Sequence, residues 1–257
     1  MAGPVRSDLR DHGVLVVTLD RPPANALDEA LLLGIEEACD RAASDGRVRA
    51  LVLTGAGAFF CGGFDLGSAR RDEAATRHLG ELYREAHLRL LELPKPTVAF
   101  VRGHATAGGL VLVLACDYRL GVVGDWKLGL NEVAIGASFP RVAMEIVRLR
   151  LPHARAGELV LGASIYPSSE ALRLGVVDEM LPPETAEATV LRRAARLGAF
   201  PAESFAHAKE GLVGEAAARV RAETPAEADR TAAIWSTDES RAARSRQREK
   251  LGMRRGT

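Results

Sequence analysis

The spacing of apolar positions changes several times along the chain, and the changes predict alternating strands and helices. GVLVVTLDR, Gly13 to Arg21, is rich in β-branched residues and ends at the turn sequence RPPAN, the pattern of a strand. From Asp28 to Ala43 the residues Leu31, Leu32, Ile35 and Ala38 fall at helical spacing. RALVLTG, Arg49 to Gly55, is apolar without a break, as expected of a strand covered on both faces. A glycine-rich loop follows, then a charged amphipathic helix from about Glu73 to Leu91 and a third strand, KPTVAFVRG, Lys95 to Gly103. Gly108 to Cys116 predicts an apolar helix, and Tyr118 to Val122 another strand. Such alternation is that of an α/β protein.

Beyond Pro140 the pattern is mainly helical, interrupted by a short extended segment, GVVDEML, Gly175 to Leu181. The stretch from about Pro201 to Lys250 is rich in Ala, Glu and Arg, with a sparse apolar stripe that includes Phe205, Val213, Val220, Ile234 and Trp235. Helices with so little apolar surface form a weak core alone, so they are expected to pack on the main body or on another subunit. The 257 residues suit one large domain with an appendage, divided here as 1–200 and 201–257.

Composition narrows the function classes. The chain is 47% hydrophobic and 26% charged, as in a folded globular protein. Its 34 basic and 34 acidic residues balance, which gives no electrostatic case for nucleic acid or an anionic membrane as partner. The three cysteines lack CxxC spacing, so neither a disulfide framework nor a zinc site is indicated, and a reducing compartment fits. The N-terminal residues lack the apolar stretch of a signal peptide, and the run from Leu110 to Cys116 is far below the ~20 residues that span a bilayer. A cytoplasmic location is expected.

Most catalytic signatures are missing. There is no GxSxG elbow, Walker sequence, HExxH or dinucleotide fingerprint, and the six histidines show no ligand spacing, so no metal is expected. What remains are two glycine turns. In FFCGGFDLG, Phe59 to Gly67, Gly62 and Gly63 allow the N–H of Phe64 to point into a cleft. In VRGHATAGG, Thr106 is the expected N-cap and Gly108 and Gly109 open a helix whose first N–H groups have no internal partner. Two such donors aimed at one point can stabilise an oxyanion. Either turn alone is better explained by glycines needed for packing.

Taken together, FFCGGFDLG, VRGHATAGG and LGLNEVAIG, with DRPPANALD before them and ASIYPSSEALRLGVVDEMLP after, resemble the enoyl-CoA hydratase/isomerase, or crotonase, family over nearly the whole chain. The resemblance implies a spiral of ββα units, a helical C-terminal region that builds trimers or dimers of trimers, and an acyl-CoA thioester as ligand, with coenzyme A entering as part of the substrate and no other cofactor. It makes the N–H groups of Phe64 and Gly108 an oxyanion hole and Glu132 the acid/base. It sets Arg21, Ala24, Cys61, Gly63, Asp65 and Leu66 along the path of the coenzyme A moiety.

The acids depart from the hydratase pattern. Hydratases of this family use two glutamates, and the position of the first is Val111 here. Hydration needs a group to activate water and a group to handle the α-proton, and valine does neither. One carboxylate suffices to move a double bond through a thioester enolate, so the resemblance lies nearer to Δ3,Δ2-enoyl-CoA isomerases. Glu132 is then expected in an apolar pocket lined by Val111 that raises its pKa. Taken without the resemblance, Glu132 reads as a solvated or ion-paired acid. His104 is either a polar wall of the pocket or a structural histidine, and Cys61 a small residue in a tight turn rather than a nucleophile. Glu81 and Glu85 could supply a non-standard second acid for hydration, or belong to a solvated helix face. A non-catalytic acyl-CoA-binding protein is the remaining alternative.

Overall fold

In the computed structural model, residues 3–65 and 73–250 are described. The strands β1 (Val5–Arg10) and β2 (Val14–Leu19) form an antiparallel hairpin, followed by α1 (Glu29–Ser44). Asp28 starts α1 by accepting the Leu31 N–H at 2.9 Å, and the face carrying Leu31, Leu32, Ile35, Ala38, Cys39 and Ala42 is buried. Three units of one plan follow: β3 (Ala50–Gly55), β4 (Phe59–Cys61) and α2 (Glu73–Glu92); β5 (Thr97–Val101), β6 (His104–Thr106) and α3 (Gly108–Ala115); β7 (Tyr118–Val122), β8 (Lys127–Gly129) and α4 (Arg141–Arg150). Each is a ββα unit, and its two strands belong to different sheets. A six-stranded sheet has the order β1-β2-β3-β5-β7-β10, with β10 at Glu179–Leu181, and a four-stranded sheet has β4-β6-β8-β9, with β9 at Tyr166–Pro167. Each turn of the spiral therefore adds one parallel neighbour to both sheets.

The expected third strand is two strands. The first ends at Val101, and after Arg102 and Gly103 the chain enters the second sheet as β6. A side chain at Gly103 would collide with the Ala58 carbonyl, so this crossing needs glycine. The pattern of β1, alternately half-buried and exposed, also escaped the reading of the N-terminal residues.

Helix α3 lies at the centre, and all eight of its residues are buried. The run from Leu110 to Ala115 is purely apolar, as suits a helix enclosed by its neighbours. The remaining helices are α5 (His153–Gly162), α6 (Pro183–Gly198), α7 (Ala202–Arg221), α8 (Pro225–Trp235) and α9 (Asp238–Lys250). The C-terminal three pack on the body of their own chain. Lys209 of α7 is inserted with its side chain 5% exposed, and its Nζ lies 2.8 Å from Asp117 Oδ2. The same oxygen accepts the N–H and the hydroxyl of Thr97, each at 3.0 Å, and Arg150 lies 3.3 Å from the other.

Asp117→Ala would leave Lys209 and Arg150 without their anion. It is expected to lose about 3–5 kcal/mol in urea denaturation, whereas Lys209→Met, which removes the buried cation itself, should lose less.

Candidate functional site

The strands β4, β6 and β8 run parallel as neighbours, so the turns leaving their carboxyl ends emerge along one edge. Phe64 lies three residues past β4, Gly108 two past β6 and Glu132 three past β8. Parallel sheets collect functional groups at this edge because successive turns stack side by side there.

Two of the turns touch backbone to backbone. A side chain at Gly109 would collide with the Cys61 carbonyl, and one at Gly63 would lie 2.7 Å from Ala107 Cβ and 3.1 Å from the Gly108 nitrogen. Gly63 also has φ +84, a conformation that side chains disfavour. The Thr106 hydroxyl donates to the Gly62 carbonyl at 3.2 Å, which ties the turns together. Thr106 is therefore not the N-cap. The cap is Ala107 at φ 52, held by its own N–H donating to the Gly129 carbonyl at 2.8 Å, with no side-chain cap bond. Leu27 bonds Gly63 and Asp65 in a parallel bridge, which passes over the Phe64 N–H. Gly108 is the first residue of its helix and has no carbonyl a turn behind it. Among the described residues neither N–H has an acceptor.

Glu132 arrives on the third turn. It is 8% exposed, and its Oε2 is buried without a hydrogen-bond partner. Burial pushes its pKa up from 4.5 to about 7, opposed by its own backbone N–H. The other buried acid among the described residues, Glu145, is spent on Arg219 at 2.7 Å. Above Glu132 lie the C-terminal helices. Ser138 Oγ donates to the Thr231 carbonyl at 2.8 Å, Arg244 Nη1 donates to the Gly136 carbonyl at 3.1 Å, and Trp235 meets the Phe64 ring edge-on at 6.1 Å. The sparse stripe of this region is thus partly used to enclose the Glu132 turn.

The other expected site residues divide into groups. Arg21 is half-buried in ion pairs, Nε to Asp28 at 2.7 Å and Nη2 to Asp65 at 2.7 Å, so its guanidinium joins the first two loops. Ala24 accepts the Gly62 N–H at 2.9 Å. Cys61 is fully buried, and its thiol is pushed up to about 12 by burial, which removes it as a nucleophile. Leu66 lies outside the described residues. Val111 is buried in the first turn of α3. His104 Nδ1 accepts the Lys127 N–H at 2.9 Å and its ring packs on Phe59 at 4.7 Å, the arrangement of a structural histidine.

Glu81 is exposed and Glu85 is paired with Arg84. The face of α2 turned to the site carries Tyr83 and His87 instead, both buried. Sequence reasoning passed over them, although their i, i+4 spacing in phase with Leu79, Ala86 and Leu90 marks them as inward. A separate surface groove between residues 8–12 and α6, lined by Arg10, Arg49, Arg192 and Arg196, holds none of these groups.

The model of the enoyl-CoA hydratase/isomerase family matches residues 10–254. The chain belongs to this family. As a family member it resembles a probable enoyl-CoA hydratase of Mycobacterium avium, with 31% identity over 205 residues that make up 79% of each protein. Among solved structures, it is similar to an enoyl-CoA hydratase from Mycobacterium ulcerans, with TM-score 0.81, 30% identity and coverage of 91% of this chain and all of that one. It is also similar to the human mitochondrial Δ3,Δ2-enoyl-CoA isomerase, with TM-score 0.92, 25% identity and coverage of 98% of this chain and all of that one. The ββα spiral is the fold that these relatives share with this enoyl-CoA hydratase/isomerase family member.

The buried carboxyl predicts a pH effect on stability. The native protein holds a proton on Glu132 that the unfolded chain releases at lower pH, so stability falls as pH rises from 4.5 through about 7. The total is on the order of 3 kcal/mol. Glu132→Gln, which cannot ionise, should match the wild type near pH 4 and exceed it by that amount at pH 8 in urea titrations. Equal stability at both pH values would show that the carboxylate is solvated.

Proposed function

We propose that the protein moves the double bond of a 3-enoyl-CoA to the 2 position, with Glu132 as the single acid/base. The Glu132 carboxylate takes a proton from C2, and the electron pair passes into the thioester, giving a dienolate conjugated through C3 and C4. The N–H groups of Phe64 and Gly108 hold the oxygen that gains the charge, and each such donor typically contributes about 3 kcal/mol to the transition state. Glu132, now protonated, returns the proton at C4, which leaves the double bond between C2 and C3. Protons and electrons balance within the substrate and one side chain, so the step calls for no oxidant or second acid. The coenzyme A moiety is assigned to the segments around Arg21 and Ala24 and around Cys61, Gly63 and Asp65, chiefly through main-chain contacts.

The observation that carries this reading is the buried Glu132 carboxyl, its Oε2 without a partner, on the same sheet edge as two N–H groups without acceptors, while Val111 stands where a hydratase has its other acid. A pKa of about 7 suits a group that must accept and then give a proton near neutrality. The similarity to the human Δ3,Δ2-enoyl-CoA isomerase, with TM-score 0.92, is compatible with this choice.

Hydration of 2-enoyl-CoA is the second reading, favoured by the name of the mycobacterial relative. It lacks a partner for Glu132, because Glu81 and Glu85 do not face the site.

Purified protein given 3-enoyl-CoA is expected to form 2-enoyl-CoA, with kcat/KM rising with pH to a plateau above a midpoint near 7 as the Glu132 carboxylate forms. Glu132→Gln should lower the rate about 10²–10⁴-fold. Undiminished turnover in that variant, or water addition to 2-enoyl-CoA faster than isomerisation, would overturn the assignment.

A further inference from the structure

Helix α2 brings to the site a residue that the proton transfers above do not use. Tyr83 is 1% exposed, and its ring lies on the Phe64 ring with centroids 4.7 Å apart. It also covers Gly108: a Cβ built there would lie 3.0 Å from Tyr83 Cε2 and 3.4 Å from the hydroxyl oxygen. Tyr83 thus packs against both residues whose N–H groups lack acceptors. The His87 ring packs on it at 4.0 Å, and because a carbonyl only accepts, His87 Nδ1–H donates to the Tyr83 carbonyl, at 2.7 Å. Burial pushes the His87 pKa down to about 4, so this neighbour is a neutral ring. Aromatic contacts to Phe64 and His87 fix the orientation of the phenol.

Among the described residues, the Tyr83 hydroxyl has no hydrogen-bond partner. A buried polar group without a partner costs about 1–3 kcal/mol, and buried tyrosines ordinarily find one. Burial, and then the charges of Glu132 and Cys61, raise the Tyr83 pKa well above 10, so the group donates and does not act as a base. Two buried side-chain atoms, Glu132 Oε2 and His87 Nε2, lack partners as well.

We propose that Tyr83 is a third hydrogen-bond donor of the site, its hydroxyl contacting the substrate's thioester oxygen together with the Phe64 and Gly108 N–H groups. The proposal rests on the reading of those two groups as an oxyanion hole. A neutral carbonyl oxygen has two lone pairs, which two donors satisfy. An enolate oxygen has three. A third donor is therefore matched to the charged intermediate rather than to the bound substrate, and it acts on kcat more than on KM.

Tyr83→Phe removes the hydroxyl and keeps the ring stack. With no protein partner to lose, its melting temperature should equal or exceed that of the wild type. Its kcat for 3-enoyl-CoA, and its rate of solvent deuterium entry at C2 of a saturated acyl-CoA, should each fall about 10²-fold. KM and the pH midpoint of kcat/KM should stay in place. Wild-type isomerisation with an unchanged Tyr83→Phe rate would overturn the role of Tyr83 alone, as would a lowered melting temperature, which would mark the hydroxyl as structural. Deuterium entry without isomerisation in the wild type would overturn the isomerase reading and still test Tyr83 by exchange. Neither activity in the wild type would overturn both.

Discussion

The contact on which the site depends is between two stretches of backbone. Gly109 rests against the carbonyl of Cys61, and Gly63 rests against the start of helix α3, at separations that no side chain permits. Because the turns meet this closely, the N–H groups of Phe64 and Gly108 emerge side by side without acceptors of their own. Ala107 adopts φ 52 to make the approach, a conformation that alanine adopts only when its surroundings impose it. The Gly129 carbonyl and the Thr106 hydroxyl are part of those surroundings, so the third strand of the small sheet helps to hold the first two turns together.

That arrangement also explains the division of labour between the two sheets. The six-stranded sheet, with continuous apolar strands such as β3 and β5, supplies the core and the regular step of the spiral. The strands of the small sheet are three residues or shorter, too short to stabilise themselves, and they serve to launch turns from a common edge. Buried in between, α3 offers its N-terminus to the same edge and carries no charge of its own. Glu132 is buried at this edge, and the raised pKa of its carboxyl follows from that burial. Stability and chemistry pull in opposite directions here, as expected of an ionisable group kept from water.

The C-terminal helices complete the enclosure. Their few apolar and basic residues are directed at particular places: Trp235 at Phe64, Arg244 at the Gly136 carbonyl, and Lys209 at the half-buried Asp117. A segment whose apolar stripe looks too thin for a core is in fact a cover held at a few polar points, which explains why its composition is so rich in charge.

Much of the fold was legible in the sequence. An uninterrupted apolar run marked β3, helical spacing marked α1 and α2, and the purely apolar run after Gly108 marked a buried helix, because burial leaves a trace in composition. The break at Gly103 and the short strands β4, β6 and β8 were not legible, since three residues hold too little of any period to register. Of the site, the sequence by itself showed the two glycine turns, while Glu132 and the valine in place of a second acid became legible only through the family resemblance. Only the tertiary structure decided that Thr106 ties the turns together rather than capping the helix, that Glu81 and Glu85 face away, and that Tyr83 and His87 face in. Helical phase tells that a face is buried, but what it is buried against depends on contacts between segments far apart in the chain, which no local pattern encodes.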